Sequence, residues 1–161
     1  MVREAGCEHL IVRTGWLFGG PPAGPKNFVW KRLVEARGAE RMTSDPWQRG
    51  NPTLAEDVAA QIAALAGLGL GGTVNCVADG SASRCEYVAA VVEAAGLSCR
   101  VEPAERPFPR LAQVSMNETA FNARLRRLGL DGMPPWRESL NAYVRGLIAS
   151  KAWAALDRAD R

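Results

Sequence analysis

Histidine and lysine are nearly absent from this sequence. His9 is the one histidine in 161 residues, and Lys26, Lys31 and Lys151 are the only lysines among 20 basic side chains. The four cysteines, Cys7, Cys76, Cys85 and Cys99, include no Cys-x-x-Cys spacing. Zinc sites take Cys/His pairs two to four residues apart, so a zinc centre is excluded. Residues 1–8 are polar and carry two acids, so no secretion leader is read there, and the thiols are expected to be reduced and buried in a cytoplasmic protein. No apolar run approaches the ~20 residues of a membrane helix, so no membrane partner is expected. The net charge is only +3. The tightest arginine cluster, Arg124, Arg126 and Arg127, lacks interleaved aromatics and reads as a solvated helix face, with no nucleic-acid partner.

What is present suits one domain. Hydrophobic residues make up 47% of the chain, enough to bury a core without a disulfide or metal staple. Residues 9–18 form a short apolar run closed by Gly19, Gly20, Pro21 and Pro22, which reads as a buried strand of a parallel sheet. A helix is predicted over 27–36. Residues 41–53 mix a weak strand with turns at Asp45-Pro46 and Asn51-Pro52. Thr53 and Glu56 have capping-box spacing ahead of a helix through Val58, Ile62 and Leu65. Residues 72–78 read as a second buried strand. Ser81 or Ser83 starts a helix with Tyr87, Val88, Val91 and Val92 on its apolar face, and Val101 marks a short strand. Two more helices are predicted over 117–128 and 136–149. The alternation argues an α/β architecture.

The motifs of common chemistry do not form. Residues 67–72 match Gly-x-Gly-x-x-Gly, but a helix precedes them and a strand follows, so a pyrophosphate would not meet a helix N-terminus; they read as a helix-ending turn. No Gly-x-Ser-x-Gly elbow exists, and His9 reads as structural. Glu56 and Asp57 are adjacent on a helix and splay apart. Trp16 stands at the end of the first apolar run, where open α/β sheets receive ligands, and its indole reads either as an apolar wall for a sugar or as core. Trp47, in a loop, leaves the same two readings open. Trp136, after Pro134-Pro135, reads as helix-entry packing.

In order along the chain, residues 10–19 (LIVRTGWLFG), 26–29 (KNFV), 50–59 (GNPTLAEDVA), 72–76 (GTVNC) and 133–140 (MPPWRESL) resemble segments of the dTDP-4-dehydrorhamnose reductases, a family of extended short-chain dehydrogenase/reductases. Arg106-Pro107 lies where that family has a proline-rich loop. The resemblance covers residues 1–149 and only the C-terminal half of a family member. Gly15 stands where the family has Ser, Leu54 where it has Tyr, and Leu111 where a Pro is expected after Arg110.

The resemblance implies the C-terminal part of an NAD(P)-binding, Rossmann-like fold: parallel strands with helices, plus a small α/β substrate-binding lobe. Residues 1–149 would bind sugar nucleotide and 150–161 would form a frayed tail. The family reduces the 4-keto group of a dTDP-6-deoxysugar with NADPH or NADH, and Mg²⁺ is a further implied cofactor. Its tyrosine donates the proton beside a lysine four residues on. Here Tyr87 is followed at that spacing by Val91 and Tyr143 by Leu147, so no catalytic residue is assigned. Met1 reads as an internal position of a longer ancestral chain. The resemblance places Trp16 against the sugar, Arg13 and Thr14 at the strand end, Asn27 and Phe28 on the nucleotide side, and Thr53 in the loop. Three readings stay open: a substrate-binding half completed by an N-terminal-half polypeptide or by self-association, a non-catalytic regulatory module, or a remnant of a full reductase.

Overall fold

The apolar run at 10–18 makes two strands instead of the single one expected, β1 (Leu10–Thr14) and β2 (Trp16–Phe18). The chain breaks at Gly15. A Cβ there would collide with the Asn51 carbonyl oxygen and lie 2.9 Å from Thr53 Oγ1. A serine side chain has no room on this backbone. In chain order there follow α1 (Phe28–Arg37), β3 (Arg41–Ser44), β4 (Arg49–Gly50), β5 (Pro52–Leu54), α2 (Ala55–Ala66), β6 (Gly72–Cys76), β7 (Ala82–Ser83), α3 (Arg84–Ala94), β8 (Arg100–Pro103), α4 (Ala123–Arg127), α5 (Trp136–Ile148) and α6 (Lys151–Ala159). The computed structural model describes residues 4, 6–22, 24, 26–109 and 113–159, so the Leu111 position lies outside the described residues.

Strands pair in parallel as β1 with β6, β2 with β5, and β3 with β8; β4 and β7 pair antiparallel. The expected α/β architecture with parallel strands is therefore observed. Among the described residues β1 has a partner strand on one edge only. Its residues Leu10, Ile11 and Val12 are half-buried.

Local chemistry decides where the elements begin. The turn expected at Asn51-Pro52 is instead the entry to β5, which runs beside β2 with Trp16 opposite Pro52. That pairing takes Thr53 away from the capping role. Its side chain is fully buried in β5, where Oγ1 donates to Asn51 O (2.9 Å) and accepts from Ala78 N (3.2 Å). The N-cap of α2 is Leu54, without a side-chain bond. A reciprocal capping box forms at α3: Ser83 Oγ accepts from Glu86 N (3.1 Å), and Glu86 Oε2 accepts from Ser83 N (2.6 Å). The Ser83 N–H, with Arg49 beside it, holds the Glu86 carboxyl below its usual range.

The helix expected over 117–128 shrinks to α4. Asn117 Oδ1 takes the Thr119 N–H (3.0 Å) and hydroxyl (2.7 Å), and Asn122 makes a two-way amide pair with the Val77 backbone. These side chains compete with helix formation for the backbone and hold 115–122 extended across the end of β6. Arg126 of α4 bonds Asp79 (2.6 Å) and Asp131 (2.9 Å), and Arg124 reaches the Gly71 (2.7 Å) and Thr73 (3.2 Å) carbonyls. Two of the three clustered arginines are thus tied to the fold and do not form a free basic face. Within α2, Ile62 is exposed and Gln61 is buried, because Gln61 bonds Leu130 O and Gly132 N.

An aromatic cluster forms the centre of the core. Tyr87 stacks on Phe28 (5.3 Å between ring centroids) and meets Phe18 (5.9 Å) and Trp136 (6.1 Å). Trp136 is the helix-entry packing residue expected from Pro134-Pro135. Residues expected to fray form α6 instead, because Trp153 packs edge-on against Trp30 (5.9 Å) with Arg37 over its ring (5.6 Å). Cys76 and Cys99 are buried as expected, but Cys7 is exposed and Cys85 half-buried. Burial raises the Cys76 thiol to about 11.

Candidate sugar-nucleotide site

The carboxyl ends of β1 and β6 and the amino end of β2 meet on one rim, and Asn51 knits that rim together. Its carbonyl accepts from Trp16 N (2.8 Å), its Nδ2 donates to Gly80 O (2.7 Å), and its Oδ1 accepts from Ala120 N (2.8 Å). One buried amide thereby fixes β2, the chain after β6, and the 115–122 segment relative to one another.

Trp16 stands at this junction, held on three sides. Its Nε1 donates to Glu118 Oε2 (2.5 Å), and the Arg84 guanidinium lies 3.6 Å from its ring centroid. Gly50 backs the indole so closely that a Cβ there would lie 2.7 Å from Cζ2 and Nε1. Gln48 joins the group: its Nε2 donates to Glu118 Oε2 (3.3 Å) and Ser115 O (3.3 Å), and its Oε1 accepts from Arg84 Nε (3.3 Å). The indole is therefore half-buried, with an arginine over its ring.

The other sequence-derived candidates separate into two groups. Arg13 and Thr14 are exposed at the carboxyl end of β1, opposite Asn75 and Cys76 of β6. Asn27 is buried as the N-cap of α1: Oδ1 accepts from Trp30 N (3.0 Å), while Nδ2 donates to Tyr143 OH (2.7 Å) and Pro21 O (3.0 Å). Phe28, half-buried, lines two clefts. One, of about 510 Å³, runs over Leu17, Gly19, Gly20 and Lys26; the other, of about 530 Å³, runs over Arg32, Thr43, Ser44, Arg84 and Phe108. Thr53 sits beneath the surface and is spent on the Asn51–Ala78 link. Trp47 is exposed. Sequence reasoning missed Gln48, Asn51, Arg84 and Glu118. Glu118 meets Trp16 across 102 positions of chain, so no local pattern announces it.

The tyrosines are poor acids here. The Tyr87 hydroxyl is buried without a hydrogen-bond partner, and burial pushes it far above the ordinary phenol range. Tyr143 is also raised by burial; it donates to Gly20 O (2.8 Å). His9 Nδ1 donates to Cys7 O (3.0 Å), consistent with a structural role. Among the described residues, no three His, Cys, Asp or Glu side chains gather as metal ligands, which leaves the Mg²⁺ expectation without support. No helix among them is long and apolar enough to cross a membrane.

Residues 1–148 match the RmlD substrate binding domain. The chain belongs to that family. It is 32% identical over 154 residues to the dTDP-4-dehydrorhamnose reductase of Mycobacterium tuberculosis, an alignment covering 94% of this chain and 49% of the relative. The fold matches a crystal structure of a dTDP-4-dehydrorhamnose reductase from Clostridium acetobutylicum with a TM-score of 0.79 at 27% identity, over 86% of this chain and 48% of that one. It matches the Bacillus anthracis enzyme, solved in complex with NADP, with a TM-score of 0.77 at 27% identity, over 88% and 49%. The chain thus spans about half the length of the relatives it matches.

A dinucleotide does not fit the one glycine-rich motif of this RmlD-type domain. The turn at 67–72 leaves the C-terminus of α2 and enters β6, so carbonyl groups, not N–H groups, end the helix there. An Arg124 nitrogen also lies 3.1 Å from where a Gly72 Cβ would be.

Proposed function

We propose that this chain is the sugar-nucleotide-binding part of a dTDP-4-dehydrorhamnose reductase-type enzyme, serving dTDP-rhamnose biosynthesis in the cytoplasm. It supplies the surface that holds a dTDP-6-deoxysugar, while the NAD(P)H site and the proton donor lie outside these 161 residues. The match of residues 1–148 to a substrate-binding domain carries the reading. The rim around Trp16 and the two clefts lined by Phe28 support it. Trp16, Arg13 and Thr14 stand on the sugar side and Phe28 on the nucleotide side. Asn27 and Thr53 act through the backbone they hold.

The open edge of β1 is where an N-terminal-half polypeptide, or a second copy, pairs through its N–H and C=O groups. The absence of a Tyr-x-x-x-Lys set also supports a second reading, a sugar-nucleotide-binding module with a regulatory role. Both readings require ligand binding. Titration calorimetry of the purified chain should therefore show saturable binding of dTDP-rhamnose and none of GDP-mannose. No heat with dTDP-rhamnose, or equal affinity for the two, would overturn the proposal.

A further inference from the structure

Arg32 lines the cleft of about 530 Å³ beside Phe28. Arg32 Nε is buried without a partner, although the same side chain pairs through Nη2 with Glu35 (2.8 Å). Arg84 lines the same cleft, and both guanidinium carbons stand 5.7 Å from the Phe28 ring centroid. Thr43 and Ser44 add hydroxyls on the β3 side, and the exposed Phe108 lines the same cleft. The volume, about 530 Å³, lies within the usual range of small-molecule sites.

The acids on this wall have other work. Glu35 is paired with Arg32, and Asp45 Oδ1 accepts from Trp47 N (2.8 Å) and Gln48 N (3.0 Å). Arg84 is oriented more firmly than a surface arginine. Its Cζ lies over the Trp16 ring, 3.6 Å from the centroid, Gln48 Oε1 receives its Nε, and it is the first residue of α3, where the helix dipole favours an anion. A stacked guanidinium holds its donors in one plane, the geometry that suits paired phosphate oxygens.

We propose that Arg84, stacked on Trp16, is the residue that binds the diphosphate of a nucleoside-diphosphate ligand in this cleft, with Arg32 as a second cation of its lining. The inference rests on the sugar-nucleotide reading above and deepens it. Trp16 then acts as the platform that sets the plane of Arg84, and Glu118 as the positioning residue that fixes Trp16.

Calorimetric titrations with dTDP and with thymidine test it, on wild type, Arg84→Gln and Arg84→Lys. Loss of a charge-assisted contact predicts dTDP affinity down about 10- to 100-fold in Arg84→Gln, with thymidine affinity unchanged. Lysine should recover part of the loss, since it restores the charge but not the planar fork. Near-UV circular dichroism of both variants shows whether the Trp16 environment persists, and the lysine variant carries the test if the glutamine variant unfolds. Equal dTDP affinity in wild type and both variants overturns the Arg84 assignment and leaves the sugar-nucleotide reading intact. Failure of wild type to bind dTDP at all overturns both.

Discussion

Supplied with NADPH and a dTDP-4-keto-6-deoxysugar, the purified 161-residue chain is expected to give no measurable turnover. Reduction needs a hydride donor held against the carbonyl and an acid that delivers a proton to the new alkoxide. A positioned acid contributes about 10²–10⁴-fold, and tuning its pKa toward the working pH is what makes it effective. Both tyrosines here are tuned the wrong way. Tyr87 is sealed among Phe18, Phe28 and Trp136, and Tyr143 is committed to Gly20 O and Asn27. Neither has a lysine four residues on to lower its pKa. The glycine turn at 67–72 faces the wrong end of a helix for a dinucleotide. A spectrophotometric assay of NADPH oxidation checks this. Robust turnover would mean that an acid and a cofactor site exist on this chain in places the structure does not suggest.

The second large effect is expected at Gly50. An added methyl would enter the indole of Trp16, and the ring cannot retreat freely because Arg84 packs over it and Glu118 holds its N–H. Overpacking of this kind costs roughly 1–3 kcal/mol. Gly50→Ala should therefore lower the melting temperature, shift the indole emission and weaken dTDP-sugar binding together. Gly146→Ala makes the contrast, since a Cβ on that residue of α5 meets nothing within 4 Å. It should raise stability by about 0.5–1 kcal/mol, the helix advantage of alanine over glycine. If Gly50→Ala were as benign as Gly146→Ala, the tight seat of Trp16 would be wrong.

How much of this was legible depended on whether the signal was local. The apolar face of α3 (Tyr87, Val88, Val91 and Val92) follows from helical spacing and is buried as that spacing requires. The strand β6 and the entry of α5 at Trp136 follow from equally local signals. Thr53 misled because its spacing to Glu56 satisfies the capping-box pattern, yet pairing of β5 with β2 claimed it first. Residues 117–122 stay out of a helix through the local Asn117–Thr119 bonds and through the distant Val77 backbone, reached by Asn122, which no local pattern announces. The helix at Lys151–Ala159 is hidden from a local reading for the same reason: Trp153 finds Trp30 far away in the sequence. The site divides along this line too. Trp16 could be singled out from its position after an apolar run, whereas its partners Gly50, Arg84 and Glu118 come from three separate stretches that only the fold brings together.

In the proposed function this domain holds a dTDP-sugar on the rim around Trp16 and in the cleft beside Phe28. Amide hydrogen exchange of the chain, with and without saturating dTDP-rhamnose, tests it most directly. Ligand should slow exchange in 28–32, 43–50, 84–87 and 115–118, and leave 67–72 unchanged. Slowed exchange confined to 67–72, or binding heat with no change in those four segments, would contradict it.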